Sequence, residues 1–197
     1  MSLDLLPKNL RELYEVHQWR HACAILKQDF PEEFADVVDV LGRFRLPRSG
    51  LVRAGGSKNP ATSGWIDGEF YKRGWEERQF DVRIKVDDRE QESPTHNIDC
   101  YKNRIGLEIE WNNKDPFFDR DLNNFRLLHS IGVVSVGIIV TRCDELQDLF
   151  NELGRGSSFG QSTTHMSKLL PKIEGGGAGG CPILVFGISR NLYDEHS

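Results

Sequence analysis

The sequence predicts a single α/β domain, a mixed β-sheet flanked by helices, and three observations carry that expectation. Residues 133–140 (VVSVGIIV) and Ile183–Ile188 are almost wholly apolar and short, as strands covered on both faces are. Elsewhere apolar residues return at helical spacing, as in Phe118, Leu122, Phe125 and Leu128. A chain of 197 residues suffices for one such domain with a sizeable core, and two full domains would be a tight fit.

The elements follow in order. Leu10, Leu13, Tyr14, Val16 and Trp19 suggest a first helix. Pro31, then Phe34, Val37, Val38 and Leu41, then Gly42, carry the start and stop signals of an amphipathic helix. Residues 43–65 differ in kind: Arg43, Arg45, Arg48, Arg53 and Lys58 stand among Gly, Ser and Pro, which reads as an exposed basic loop. Phe80, Val82, Ile84 and Val86 alternate with charged residues, the period of a half-buried strand, and 87–97 is polar and turn-like. Residues 99–111 read as a hairpin with Lys102, Asn103 and Arg104 at its turn.

Asp115 followed by Pro116 is an N-cap ahead of Pro at the first helical position, and Gly132 closes that helix. Asp144 is expected to cap a helix carrying Leu146, Leu149, Phe150 and Leu153. The polar residues 157–168 lead into a short helix around Met166, Leu169 and Leu170, and GGGAGG at 175–180 is a flexible connector.

Composition excludes some classes. No apolar run approaches the roughly 20 residues that span a bilayer, and the N-terminus lacks a signal-peptide pattern, so an intracellular location is expected. Cys23, Cys100, Cys143 and Cys181 are scattered with no C-x-x-C pair, which argues for buried free thiols over a zinc site or disulfides. A net charge of −5 leaves nucleic acid open, because a DNA-binding surface is local and an acidic metal site subtracts from the total.

The chemistry concentrates in RIGLEIEW. Strand alternation puts Ile105, Leu107, Ile109 and Trp111 on one face and Glu108 and Glu110 on the other, the two acids about 7 Å apart. Asp99, on the preceding arm of the hairpin, can come near them. Three acids on one face repel one another unless a cation joins them, and hard oxygen donors favour Mg²⁺ or Mn²⁺. An isolated E-x-E alone is weak, since most such pairs face water. Glu69 and Glu77 are further acids that could add a ligand.

Asp99, Glu108 nine positions on and Glu110 after one more residue resemble the D-x(n)-(D/E)-x-K site of restriction-type nucleases, the PD-(D/E)xK superfamily. The run IDCYKNRIGLEIEWNNKD resembles the BglII/BstYI family of type II restriction endonucleases, and the likeness continues through VVSVGIIV and GRGSSFGQSTTHMSKLL to CPILVFGIS. It covers residues 64–189, the expected catalytic core, while the helical and basic residues 1–60 match nothing recognisable. The resemblance implies a restriction-endonuclease-like fold and Mg²⁺-dependent hydrolysis of double-stranded DNA at a short palindrome. Mn²⁺ would substitute and Ca²⁺ would bind without cleavage. It further implies a homodimer, a prokaryotic cytoplasmic location and a methyltransferase partner in a restriction-modification system. By resemblance and charge Asp99 and Glu108 are metal ligands. Glu110 stands where the motif has Lys, so it is a ligand, a water-positioning group or a general base.

Two polar groups are candidates for DNA contact. Asn112, Asn113 and Lys114 follow the catalytic strand, where amides can pair with adenine edges and Lys with phosphate or guanine; a solvated turn is the equal alternative. Arg155, Ser158, Gln161, Ser162, Thr163, Thr164 and His165 form the second, with an ordinary loop as its alternative. Lys58 and its basic neighbours could clamp the backbone. The helices over 116–131 and 145–153 are candidates for a dimer seam. Two rivals remain: another nuclease of this fold, such as a repair, nicking or modification-dependent enzyme, and a binding module holding structural Ca²⁺.

Overall fold

The protein is described by a computed structural model over residues 2–52, 59–93, 95–160 and 162–196; Arg53, Lys58 and Gln161, expected near DNA, lie outside the described residues. A 3-10 turn (Ser2–Leu5) and α1 (Lys8–Leu13) lead into β1 (Tyr14–Trp19), followed by α2 (Ala22–Asp29), α3 (Pro31–Arg43), β2 (Leu46–Pro47), α4 (Arg48–Val52) and α5 (Ser63–Tyr71). Then come β3 (Glu76–Arg78), β4 (Val82–Val86), β5 (Arg89–Ser93), β6 (Ile98–Lys102) and β7 (Ile105–Glu110). The chain continues through α6 (Pro116–Ser130), β8 (Val136–Arg142), α7 (Leu146–Glu152), α8 (Met166–Glu174), β9 (Ile183–Ile188) and β10 (Tyr193–Asp194).

Six strands form one mixed sheet in the order β1-β9-β8-β7-β6-β3. Its centre, β7-β8-β9, is parallel, and β1, β6 and β3 extend it antiparallel. The central strands are buried throughout, which accounts for their nearly unbroken apolar runs. Alternation assigns their side chains to two cores. Ile105, Leu107, Ile109, Ile138, Val140, Leu184 and Phe186 join the helices of the N-terminal half and α7. Ile139, Ile183 and Val185 face the other way, against Phe118, Leu122, Phe125 and Leu128 of α6 and Met166, Leu169 and Ile173 of α8.

Several expectations change. The helix expected through Trp19 stops at Leu13, because Tyr14 to Trp19 pair with Ile188 to Ile183 of β9 as an edge strand. The described residues of 43–65 (43–52 and 59–65) are not an exposed loop: Leu46, Gly50, Leu51 and Thr62 are buried, and Arg43 is tied to Asp39 and Glu69. The expected half-buried strand is half-buried only at its start, where Phe80 and Val82 pack against the second core; among the described residues β4 pairs only with β5 as a separate ribbon and leaves Ile84 46% and Val86 63% exposed. That ribbon also makes a strand of part of the expected turn at 87–97.

Asp115 precedes α6 without capping it by its side chain, and it faces Lys168 and Lys172 at 3.4 and 3.5 Å. Asp144 caps a different helix from the one expected, accepting from the Ser167 amide at 3.0 Å at the start of α8. All four cysteines are free and buried, as expected, and burial pushes the Cys181 thiol up to about 12. Among the described residues no helix is long and apolar enough to cross a membrane.

Candidate active site

The β6–β7 hairpin turns on Asn103 and Arg104, both at positive φ (44° and 70°), as in the two-residue turns that match strand twist. It pairs Cys100 with Leu107, Tyr101 with Gly106 and Lys102 with Ile105. Beyond that register the two arms exchange side chains for ladder bonds. Asp99 Oδ2 accepts from the Ile109 amide at 2.9 Å, and the Asp99 amide lies 3.4 Å from Glu108 Oε2 as its donor. The expected convergence of Asp99 with the E-x-E pair is therefore present.

Gly106, Glu108 and Glu110 share the face of β7 that turns toward α6. At Gly106 the Phe125 ring comes so close that a Cβ would stand 2.8 Å from it. One turn earlier on α6, at i−4 from Phe125, stands Asp121, fully buried. Thus two residues spaced i, i+2 on the strand meet two spaced i, i+4 on the helix. Glu108 and Glu110 are each only 1% exposed. Burial, then Asp121, Asp99 and Glu110, push the Glu108 carboxyl well above the usual range. Burial and then Asp121 push Glu110 up to about 9, with Asn113 and Arg120 pulling the other way.

A cavity of about 210 Å³ opens over this cluster, lined by Asp67, Glu77, His96, Asn97, Asp99, Glu110, Asn113 and Arg120 among others. Glu110 Oε2 accepts from Asn113 Nδ2 at 2.8 Å, and Arg120 Nη2 lies 3.7 Å from Glu110 Oε1. His96 Nε2 stands 3.3 Å from Glu108 Oε1 and 3.0 Å from Asp121 Oδ1. Glu108 Oε1 and Asp121 Oδ2 are buried with no hydrogen-bond partner. Buried carboxylate oxygens in that state, pressed against like charges, fit a divalent cation with hard oxygen preference.

Of the two additional acids considered, Glu77 lines the cavity and is held by Asn97 Nδ2 at 2.9 Å. Glu69 does not: it is paired with Lys72 at 2.5 Å, Arg43 at 2.6 Å and Arg73 at 3.3 Å. Asp67, His96, Arg120 and Asp121 escape a sequence reading. Asp121 alone left a signal, a charged residue inside the apolar stripe of Phe118, Leu122, Phe125 and Leu128.

The two polar groups expected near DNA are one structure. Lys114 and Thr163 form an isolated antiparallel bridge, with bonds from the Thr164 amide to Asn113 O at 2.9 Å and the Asp115 amide to Ser162 O at 3.2 Å. Asn112 Nδ2 donates to Ser158 O at 3.1 Å. Lys114 and Ser162 are exposed, and Arg155 is half-buried. Thr164 corrects the expectation: it is wholly buried, and its hydroxyl donates to the Glu110 carbonyl at 3.2 Å, so it ties the segment to β7. Thr163 Oγ1 accepts from Arg142 at 2.7 Å and donates to Gly160 O at 2.8 Å, while His165 leans on Asp144 at 3.5 Å.

A mixed sheet whose central hairpin strand carries paired acids beside a third on the neighbouring arm is the architecture of a restriction-endonuclease-like domain. The chain belongs to the restriction endonuclease BglII/BglIII family, whose description it matches over residues 14–188. Membership makes it a nuclease acting on DNA. The match begins with β1, so it takes in most of the N-terminal part that resembled nothing in sequence. No curated protein sequence matches the chain significantly.

Proposed function

We propose that this nuclease is a type II restriction endonuclease that hydrolyses double-stranded DNA at a short palindromic site, dependent on Mg²⁺ and acting as a homodimer. A cytoplasmic setting beside a cognate methyltransferase follows from that role. The observation that carries the reading is the meeting of Asp99, Glu108 and Glu110 at the end of β7, beside the joined segments of Asn113–Lys114 and Ser162–Thr163.

Asp99 and Glu108 would hold the ion, with Glu110 as a third ligand or as acceptor of the proton from the attacking water. When bound, the ion supplies Lewis acidity toward a phosphoryl oxygen and makes water more acidic. Asn113 orients the Glu110 carboxylate, and Arg120 brings positive charge to the position where the motif lacks its Lys. Lys114 and Ser162, exposed beside the cavity, are the side chains we assign to DNA, together with the half-buried Arg155.

The test is digestion of methylated and unmethylated phage DNA with Mg²⁺, alongside Asp99→Asn. Discrete fragments lost in the variant are expected, and their mapped ends give the recognition sequence. Equal cutting by the variant, or binding of DNA with no cutting under any metal and methylation state, would overturn the reading in favour of a different site or a binding module.

A further inference from the structure

We propose that His96 and Asp121 complete, with Glu108, a mixed nitrogen–oxygen subsite for a first-row divalent cation, set between the hairpin and α6. This rests on Glu108 being a metal ligand; His96 and Asp121 lie outside the hairpin that carries the three acids.

The geometry is that of donors sharing an ion. One ligand atom from each residue falls within 4.8 Å of the other two. His96 Nε2 is 3.0 Å from Asp121 Oδ1 and 3.3 Å from Glu108 Oε1, yet neither approach has the direction of a hydrogen bond. Ligands about 2.1 Å from a metal stand about 3.0 Å apart in octahedral and about 3.4 Å apart in tetrahedral coordination. Both observed separations fall in that interval. Glu108 and Asp121 are at most 1% exposed, and each keeps one oxygen with no hydrogen-bond partner. Two adjacent buried carboxylates left in this state are costly without a positive charge between them.

The surroundings hold the three donors in place. Asn124, one turn beyond Asp121, points Nδ2 at the His96 carbonyl at 3.4 Å and so ties the histidine to α6. Arg120 donates from Nε and Nη2 to Asp121 Oδ1 at 3.1 and 2.9 Å, fixing that carboxylate's plane. An imidazole ligand shifts preference from Mg²⁺ toward the first-row transition metals. Glu108 could then serve both this subsite and the Asp99 side of the cavity.

Mn²⁺ alone, added to the metal-free full chain, tests this by pulsed electron paramagnetic resonance with binding counted by calorimetry. Nitrogen-14 modulation is expected in the wild type, changed to the nitrogen-15 pattern by labelled histidine and lost in His96→Gln. Asp99→Asn should keep that modulation. Mn²⁺ bound without histidine nitrogen coupling would overturn the inference and leave the proposed function standing. No Mn²⁺ bound at all would also overturn the inference, while the cleavage assay with Mg²⁺ and DNA decides the proposed function separately.

Discussion

The Asp99 amide points at the Glu108 carboxylate from 3.4 Å, while the Asp99 carboxylate accepts the Ile109 amide at 2.9 Å. Each arm of the hairpin thus holds the other's acid, and Asp99 serves the fold as well as the site.

That dual role separates two substitutions. Asp99→Asn keeps an oxygen for the Ile109 amide, so we expect a melting temperature near wild type with cleavage abolished. Asp99→Ala leaves a backbone donor unmatched and should also lose about 1–3 kcal/mol of stability. Thermal melts beside a DNA cleavage assay check both, and equal melting of the two variants would refute the structural half.

Glu110 opposes folding in the absence of metal. Its folded-state pKa of about 9 lies above the ordinary glutamate value of 4.5, so above pH 4.5 the unfolded chain ionises while the folded chain must keep the proton. The penalty is absent below pH 4.5, grows as pH rises and levels off near 9. At pH 7 it is of order 3 kcal/mol. Glu110→Gln should therefore match wild type at acid pH and melt higher at pH 7–8 in chelator. A variant less stable than wild type at every pH would refute this account.

Glu69 has the opposite sign. Its ion pairs with Lys72, Arg43 and Arg73 hold its pKa at about 2, so its contribution is full above about pH 4.5 and lost as pH falls toward 2. The Glu69→Gln variant should be less stable at pH 7, with the difference closing in acid. A gap that persists in acid would mean the residue acts through packing instead.

Arg142 is the anchor of the segment beside the cavity. Only 1% exposed, it donates to Phe159 O, Thr163 Oγ1 and Thr164 O at 3.0, 2.7 and 3.1 Å, and burial lowers its pKa to about 10. Lysine cannot span three acceptors from one stem. Arg142→Lys should cost about 3 kcal/mol in denaturant unfolding and speed hydrogen exchange in residues 159–164. Unchanged exchange there would show that the segment holds itself.

The sequence by itself determined what depends on near neighbours. Alternation in IGLEIE split apolar from acidic side chains, a short turn brought Asp99 beside them, and continuous apolar runs marked β8 and β9. Those features need only the period of a strand and a few residues of chain. Tertiary structure alone decided the rest. Tyr14–Trp19 became a strand because its partner, Ile183–Ile188, lies some 170 residues away and offers an open edge. Val82–Val86 alternates like a half-buried strand but joins no large sheet, so Val82 alone reaches the second core while Ile84 and Val86 stay in solvent. Asp121 and His96 reach Glu108 only because α6 docks with Phe125 against Gly106, and Thr164 turned from a DNA contact into a strut when its hydroxyl found the Glu110 carbonyl. Local periodicity states which face of an element is apolar; only docking states what that face, or its opposite, will meet.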